Sequence, residues 1–264
     1  MGLRDNIYKV KEKFFKPKAV FLILFIIILA LVLVSRCSDQ DTLGENEDLR
    51  PAPAVENSAQ QDDSADLPVI DPSADMQTVF DGALFIGDSR TEGLKMFAGI
   101  ENADFFCAKS MTIDKVVDGK TVDFNGHQMS VYNVLASKDY SKIYICLGIN
   151  ELGWVDIGDF LSEYTELIDE IKSLQEEAEI YVELIFPVTK TKSDSDKVVN
   201  NSQIYWYNVN LIEMAEANGV KYLNPDVPLL DENGALNPDA TTDGVHINSE
   251  YCKKWAEYLA QITY

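Results

Sequence analysis

Across 264 residues, 44 Asp and Glu stand against 22 Lys and Arg, for a net charge of −22. That balance excludes nucleic acid as a partner, since such binding depends on cationic side chains displacing phosphate counterions. The 46% hydrophobic content suits one globular domain with a packed core once a membrane segment is set aside.

The chain opens with a basic tail, residues 1–18, carrying Arg4, Lys9, Lys11, Lys13, Lys16 and Lys18. Residues 19–35 follow as an apolar segment, with no charged or polar side chain from Ala19 to Val34. The run is slightly short of the ~20 residues of a full span but longer than the core of a cleaved signal peptide, and no small-x-small cleavage site follows it. A retained signal anchor is predicted: a single-pass membrane protein with its basic tail in the cytoplasm and everything beyond Arg36 outside, at a bacterial cell surface. A lipoprotein site at Cys37 is disfavoured by Arg36, which stands where a small residue is needed.

Residues 36–75 are rich in Asp, Glu, Ser, Ala, Gln and Pro without a sustained apolar period, and read as a disordered acidic linker. Residues 1–36 hold seven Lys/Arg against Asp5 and Glu12, which leaves a net charge of −27 on the rest of the chain. A solvated surface is the expected use of that charge.

From 76 to 264 short β-type runs alternate with helical patterns. Strands are predicted at Ala83–Ile86, Ala103–Ala108, Ile143–Leu147, Ile180–Phe186 and Val220–Leu223. Phe160, Tyr164, Leu167, Ile171 and Leu174 recur at helical spacing and predict a helix over Asp159–Ala178. Further helices are expected over Thr91–Phe97, Val131–Ser137, Gln203–Asn218 and Ser249–Ile262, and Asn125–Gly126 marks a hairpin within Lys120–Met129. Alternation of this kind implies a parallel sheet covered on both faces, with active residues gathered beyond the carboxyl ends of its strands. Cys107 and Cys146 fall in strand-like runs and Cys252 in the last helix, without metal-like spacing, so buried free thiols are expected, with no metal and no cofactor.

Three places at that sheet edge carry chemistry. Gly87-Asp88-Ser89 follows the first strand, where a serine hydroxyl would project from the strand-to-helix turn beside helix N–H groups. Gly148-Ile149-Asn150 follows the third strand and supplies a side-chain amide. Asp243-Gly244-Val245-His246 precedes the last helix. There a neutral imidazole can take a serine proton at one nitrogen while Asp243 holds the N–H of the other. His127, the other histidine, lies in the hairpin without a carboxylate at that spacing. Singly, each motif also fits a bland role: an N-cap serine, a turn asparagine, a surface histidine.

In order and spacing the three blocks resemble the SGNH/GDSL hydrolase family over roughly residues 80–264. The resemblance implies a three-layer α/β/α, flavodoxin-like fold with a mainly parallel five-stranded sheet, preceded here by the transmembrane helix and linker. It implies acyl-ester hydrolysis with Ser89 as nucleophile, His246 as general base and Asp243 as its orienting carboxylate. The oxyanion hole would comprise the Ser89 backbone N–H, Asn150, and a backbone N–H after the second strand. Family members usually place glycine at this last position, whereas residues 105–112 contain none; Ser110 is the candidate here. Glu151 stands where many members have Asp, and a structural role orienting its loop is expected.

The substrate expected of such a domain outside a membrane is an acyl ester, with O-acetyl groups on carbohydrate favoured over lipid esters. Trp154 and Tyr205-Trp206-Tyr207 are candidate sugar-stacking aromatics, although core roles are commoner for such residues. O-acyl transfer to a cell-surface glycan by the same site is an alternative, as is a non-catalytic module that binds a glycan or a protein partner. A two-metal phosphoesterase using Asp88, Asn150 and His246 is disfavoured by the scarcity of histidine.

Overall fold

A computed structural model describes Asp71 and residues 74–264. The basic tail, the anchor and nearly all of the acidic linker predicted from sequence lie outside the described residues. Within them, no helix is long and apolar enough to cross a membrane.

A short helix α1 (Met76–Val79) leads into β1 (Ala83–Gly87), α2 (Ser89–Phe97) and β2 (Asp104–Cys107). Next come α3 (Ile113–Val117), the hairpin β3 (Val122–Phe124) and β4 (His127–Met129), α4 (Val131–Leu135) and β5 (Lys142–Cys146). The chain continues through α5 (Ile157–Leu174), β6 (Glu179–Glu183), α6 (Lys190–Ser195), α7 (Asn201–Ala217), β7 (Lys221–Leu223), a 3₁₀ turn at Pro238–Ala240 and α8 (Ser249–Ile262). The main sheet has the order β2-β1-β5-β6-β7 with every pairing parallel. This is the predicted doubly wound arrangement, its order reversing between β1 and β5, where such folds place their sites.

Side-chain alternation divides the core between the two faces. Leu84, Ile86, Ile143, Ile145, Ile180 and Val182 point to one side, where Phe160, Leu167, Ile204 and Leu211 of α5 and α7 cover them. Phe85, Phe105, Tyr144 and Tyr181 point to the other, under Leu94 of α2 and Trp255 and Leu259 of α8. Because the strands are in register, four of these rings form a row across β2, β1, β5 and β6. Neighbouring centroids are 5.0, 4.6 and 5.1 Å apart and the rings nearly parallel. Offset stacking of this kind contributes about 0.5–1.5 kcal/mol per pair beyond burial.

Two boundaries differ from the sequence reading by three residues or more. The long helix ends at Leu174 rather than Ala178, because Gln175 is buried and its amide is engaged elsewhere. It donates to the Leu135 and Lys138 carbonyls and accepts from Tyr140 N–H. The fourth strand stops at Glu183 rather than Phe186, although the apolar run continues. Beyond it the Asn208 amide brackets the Ile185 N–H and C=O, the Asn201 amide does the same for Val188, and Arg90 donates to the Phe186 carbonyl. Side chains therefore satisfy a backbone that has left the sheet. Asn125 and Gly126 have φ of 53° and 84°, as a tight hairpin turn requires. Cys107, Cys146 and Cys252 are free; Cys146 and Cys252 are buried and Cys107, unlike the expectation, only half-buried.

Candidate active site

The turn between β1 and α2 is packed without slack. A Cβ on Gly87 would lie 1.9 Å from Thr91 Oγ1 and 2.8 Å from the Cys146 carbonyl oxygen, so only glycine lets the strand pass directly into the helix here. Asp88 caps α2, its carboxylate accepting the Arg90 N–H at 2.8 Å. Burial pushes the Asp88 pKa up to about 6 against the opposing charge of Arg90. The Arg90 guanidinium lies 3.8 Å over the Phe186 ring and donates to the Phe186 carbonyl at 2.8 Å, tying the turn to the segment after β6. Ser89 is then the first residue of α2, two positions earlier than the predicted helix start, and its N–H has no carbonyl partner within the helix.

Ser89 Oγ lies 2.9 Å from His246 Nε2, and His246 Nδ1 lies 2.6 Å from Asp243 Oδ2. With Nδ1 protonated toward the carboxylate, Nε2 is left as the acceptor for the Ser89 hydroxyl. The loop holding this pair is built by Asp243 itself, whose Oδ1 accepts the Val245 and His246 N–H groups at 2.8 and 2.9 Å. Burial works to raise the Asp243 pKa, but the His246 ring and these backbone donors outweigh it and hold the carboxyl well below the usual range. Gly244 has φ of 84°, and a Cβ there would meet Thr189 Oγ1 at 2.7 Å. Downstream, Asn248 caps α8 and fixes where the His246 segment enters the helix.

The loops after β2 and β5 meet beside Ser89. Ser110 has φ of 55°, the left-handed region that favours glycine. The position that lacks glycine in sequence thus keeps the backbone shape glycine would adopt. Asn150 Nδ2 donates one hydrogen to the Met111 carbonyl at 2.9 Å, which orients the amide and leaves its second hydrogen available. Glu151 is fully buried, and its Oε1 accepts the Ile113 N–H at 2.7 Å, joining the two loops. Burial raises its pKa to about 8, and Tyr207 donates to its carbonyl at 2.6 Å. Glu151 thus has the loop-orienting position expected of it.

Ser89, Ser110, Asn150 and His246 share the wall of one open cavity of about 470 Å³, within the range of small-molecule sites. Asp243 stands behind His246. His127 lies on the exposed hairpin strand β4 and does not line this cavity. The aromatic candidates do not line it either. Tyr207 is core, Trp154 packs edge-on against Phe160, and Tyr205 and Trp206 are exposed on α7. Glu92, Met96, Phe97 and Lys109, which sequence reading passed over, do line it. Helical spacing from Ser89 was the available signal: positions 92, 93 and 96 share its face of α2.

The model of the GDSL-like lipase/acylhydrolase family matches residues 85–251. Among curated proteins none matches the chain. Solved structures share the fold at low identity. A GDSL-like lipase from Bacteroides thetaiotaomicron is 18% identical with a TM-score of 0.51, covering 72% of this chain and 90% of its own. A Streptococcus pneumonia protein described as a candidate platelet activating factor is 22% identical with a TM-score of 0.56, covering 72% and 91%. An acetyl xylan esterase is 12% identical with a TM-score of 0.50, covering 67% and 96%. With the family match spanning well over half of its length, the chain belongs to the GDSL-like lipase/acylhydrolase family of carboxylic ester hydrolases.

Proposed function

We propose that this protein is a membrane-anchored, extracytoplasmic serine esterase that removes O-acetyl groups from carbohydrate. Ser89 attacks the ester carbonyl and His246 Nε2 takes the hydroxyl proton, while Asp243 holds Nδ1–H and stabilises the imidazolium. The oxyanion is met by the Ser89 N–H, the Ser110 N–H and the second Nδ2 hydrogen of Asn150. Collapse of the tetrahedral species returns the proton from His246 to the leaving alcohol and leaves an acetyl-Ser89 ester. Water, deprotonated by His246, then releases acetate and restores the serine.

The observation that carries this reading is the run of two hydrogen bonds, 2.9 and 2.6 Å, linking Ser89 through His246 to Asp243. Support for the location comes from the sequence alone: the basic tail, the apolar segment 19–35 and the acidic spacer after it. Acetylated polysaccharide is the ester such a placement would meet. The test is hydrolysis of p-nitrophenyl acetate by the detergent-solubilised full chain and by a folded Ser89→Ala variant. Turnover that vanishes with Ser89 supports the assignment. A folded wild type with no turnover above background would instead point to an acyltransferase requiring its own donor, or to a binding surface.

A further inference from the structure

A second cavity beside Ser89 takes its meaning from the esterase reading, in which Ser89 is the reacting centre. Glu92 and Met96 follow Ser89 at i+3 and i+7 on α2, and both line the Ser89 cavity. Both also line a second cavity of about 410 Å³, so the two cavities meet along one face of this helix. At 1.5 Å per residue, Met96 lies ~10 Å along the axis from Ser89, beyond the reach of an acetyl group held there but within that of a disaccharide.

The far wall of the second cavity is the β3–β4 hairpin region, which contributes Thr121, Val122, Asp123 and Gln128; Lys95 stands on the α2 side, and Cys107 and Ala108 also line it. Glu92 and Asp123 accept hydrogen bonds, Lys95 donates them, and Thr121 and Gln128 do both. Glu92 Oε2 is shielded from solvent and has no hydrogen-bond partner among the described residues. An acceptor in that condition carries a desolvation cost that a ligand hydroxyl would relieve. An acyl chain would bury these groups without partners, and an anion would face two carboxylates. A neutral polyhydroxylated ring supplies both donors and acceptors, and its C–H face can pack on Met96. We propose that this second cavity is a sugar subsite, holding a neutral pyranose on the alcohol side of the ester whose acetyl group is attacked by Ser89.

The kinetic test compares a mono-O-acetylated neutral disaccharide with p-nitrophenyl acetate, using the full chain in detergent and a Thr121→Ala/Gln128→Ala variant. The expected result is a fall of tenfold or more in the ratio of kcat/KM for the sugar ester to kcat/KM for p-nitrophenyl acetate, arising mainly in KM. A ratio unchanged within threefold in folded protein overturns the subsite. A selective loss on p-nitrophenyl decanoate instead of the sugar ester overturns it in favour of a lipid chain. The binding test titrates the same acetylated disaccharide into the full-length Ser89→Ala protein by calorimetry, with and without the two hairpin substitutions. Binding that the substitutions weaken tenfold supports the subsite; no binding, or binding they leave untouched, overturns it. If wild type fails to turn over p-nitrophenyl acetate, the esterase reading fails on its own and the titration still decides the subsite.

Discussion

Replacing Asn150 by alanine separates a catalytic role for its amide from a structural one. The side chain has two Nδ2 hydrogens, one engaged with the Met111 carbonyl at 2.9 Å and the other free to meet an oxyanion in the shared cavity. Loss of one oxyanion donor costs about 10²–10³ in kcat, or roughly 2.7–4 kcal/mol of transition-state stabilisation. Loss of the bond to Met111, made by an exposed residue, costs only about 0.5–1.5 kcal/mol of folding stability. The two readouts should therefore diverge. In p-nitrophenyl acetate assays kcat should drop at least a hundredfold with little change in KM, while the urea midpoint moves slightly. Asn150→Asp, which cannot donate and places negative charge beside the forming oxyanion, should be at least as impaired. Turnover within threefold of wild type in folded Asn150→Ala would remove this residue from the site and break the reasoning that places the oxyanion between the β2 and β5 loops.

Asp243→Asn should retain the loop, since an amide oxygen can still accept the Val245 and His246 N–H groups, yet lose about 10²–10⁴ in kcat because Nδ1–H is no longer held; kcat and thermal midpoint measured together check this. Ser110→Gly should relieve a left-handed backbone strain of about 1 kcal/mol, offset by a similar gain in unfolded-chain entropy, so the urea midpoint should shift little and kcat should hold within threefold. A hundredfold loss would mean the Ser110 hydroxyl, and not its N–H, takes part. Glu183 is buried with Oε2 accepting from Trp255 Nε1 at 3.0 Å and Oε1 without a partner among the described residues, and burial raises its pKa from 4.5 to about 8. The folded state keeps a proton that the unfolded chain releases, so this residue lowers stability as pH rises from about 4.5 to 8, by up to about 5 kcal/mol at 1.36 kcal/mol per pH unit. Glu183→Gln should lack this dependence, and denaturant titrations at pH 5 and 8 that run parallel for the two proteins would refute it.

The fold was readable where periodicity is strong. All five strands of the parallel sheet, the hairpin at Asn125–Gly126 and the last helix were placed within a few residues, because alternating burial and turn chemistry act locally. Helix α6 has no buried residue and so no apolar period, and α3 offers a single turn of one, with Ile113 and Val116 buried; neither was predicted. The true ends of α5 and β6 depend on Gln175, Asn201, Asn208 and Arg90 reaching backbone groups distant in sequence, which no local pattern announces. Ser89, Asn150, Asp243 and His246 were legible because each sits at a strand or helix boundary that fold topology carries to one edge. Ser110 was reached only through the family pattern, and its φ of 55° gives that choice a physical basis. Glu92 and Met96 escaped notice because a glutamate and a methionine on a helix look like ordinary surface and core.

The amides that bracket the chain after β6 have a consequence for motion. Hydrogen exchange normally quickens where a strand leaves its sheet, since protection follows backbone pairing. Here Ile185 and Val188 donate to side-chain oxygens of α7, and Phe186 is gripped at its carbonyl by the residue next to Ser89. Slow exchange should therefore extend past the last ladder bond to the rim of the candidate site, since opening this segment requires α7 and the Gly87–Ser89 turn to loosen with it.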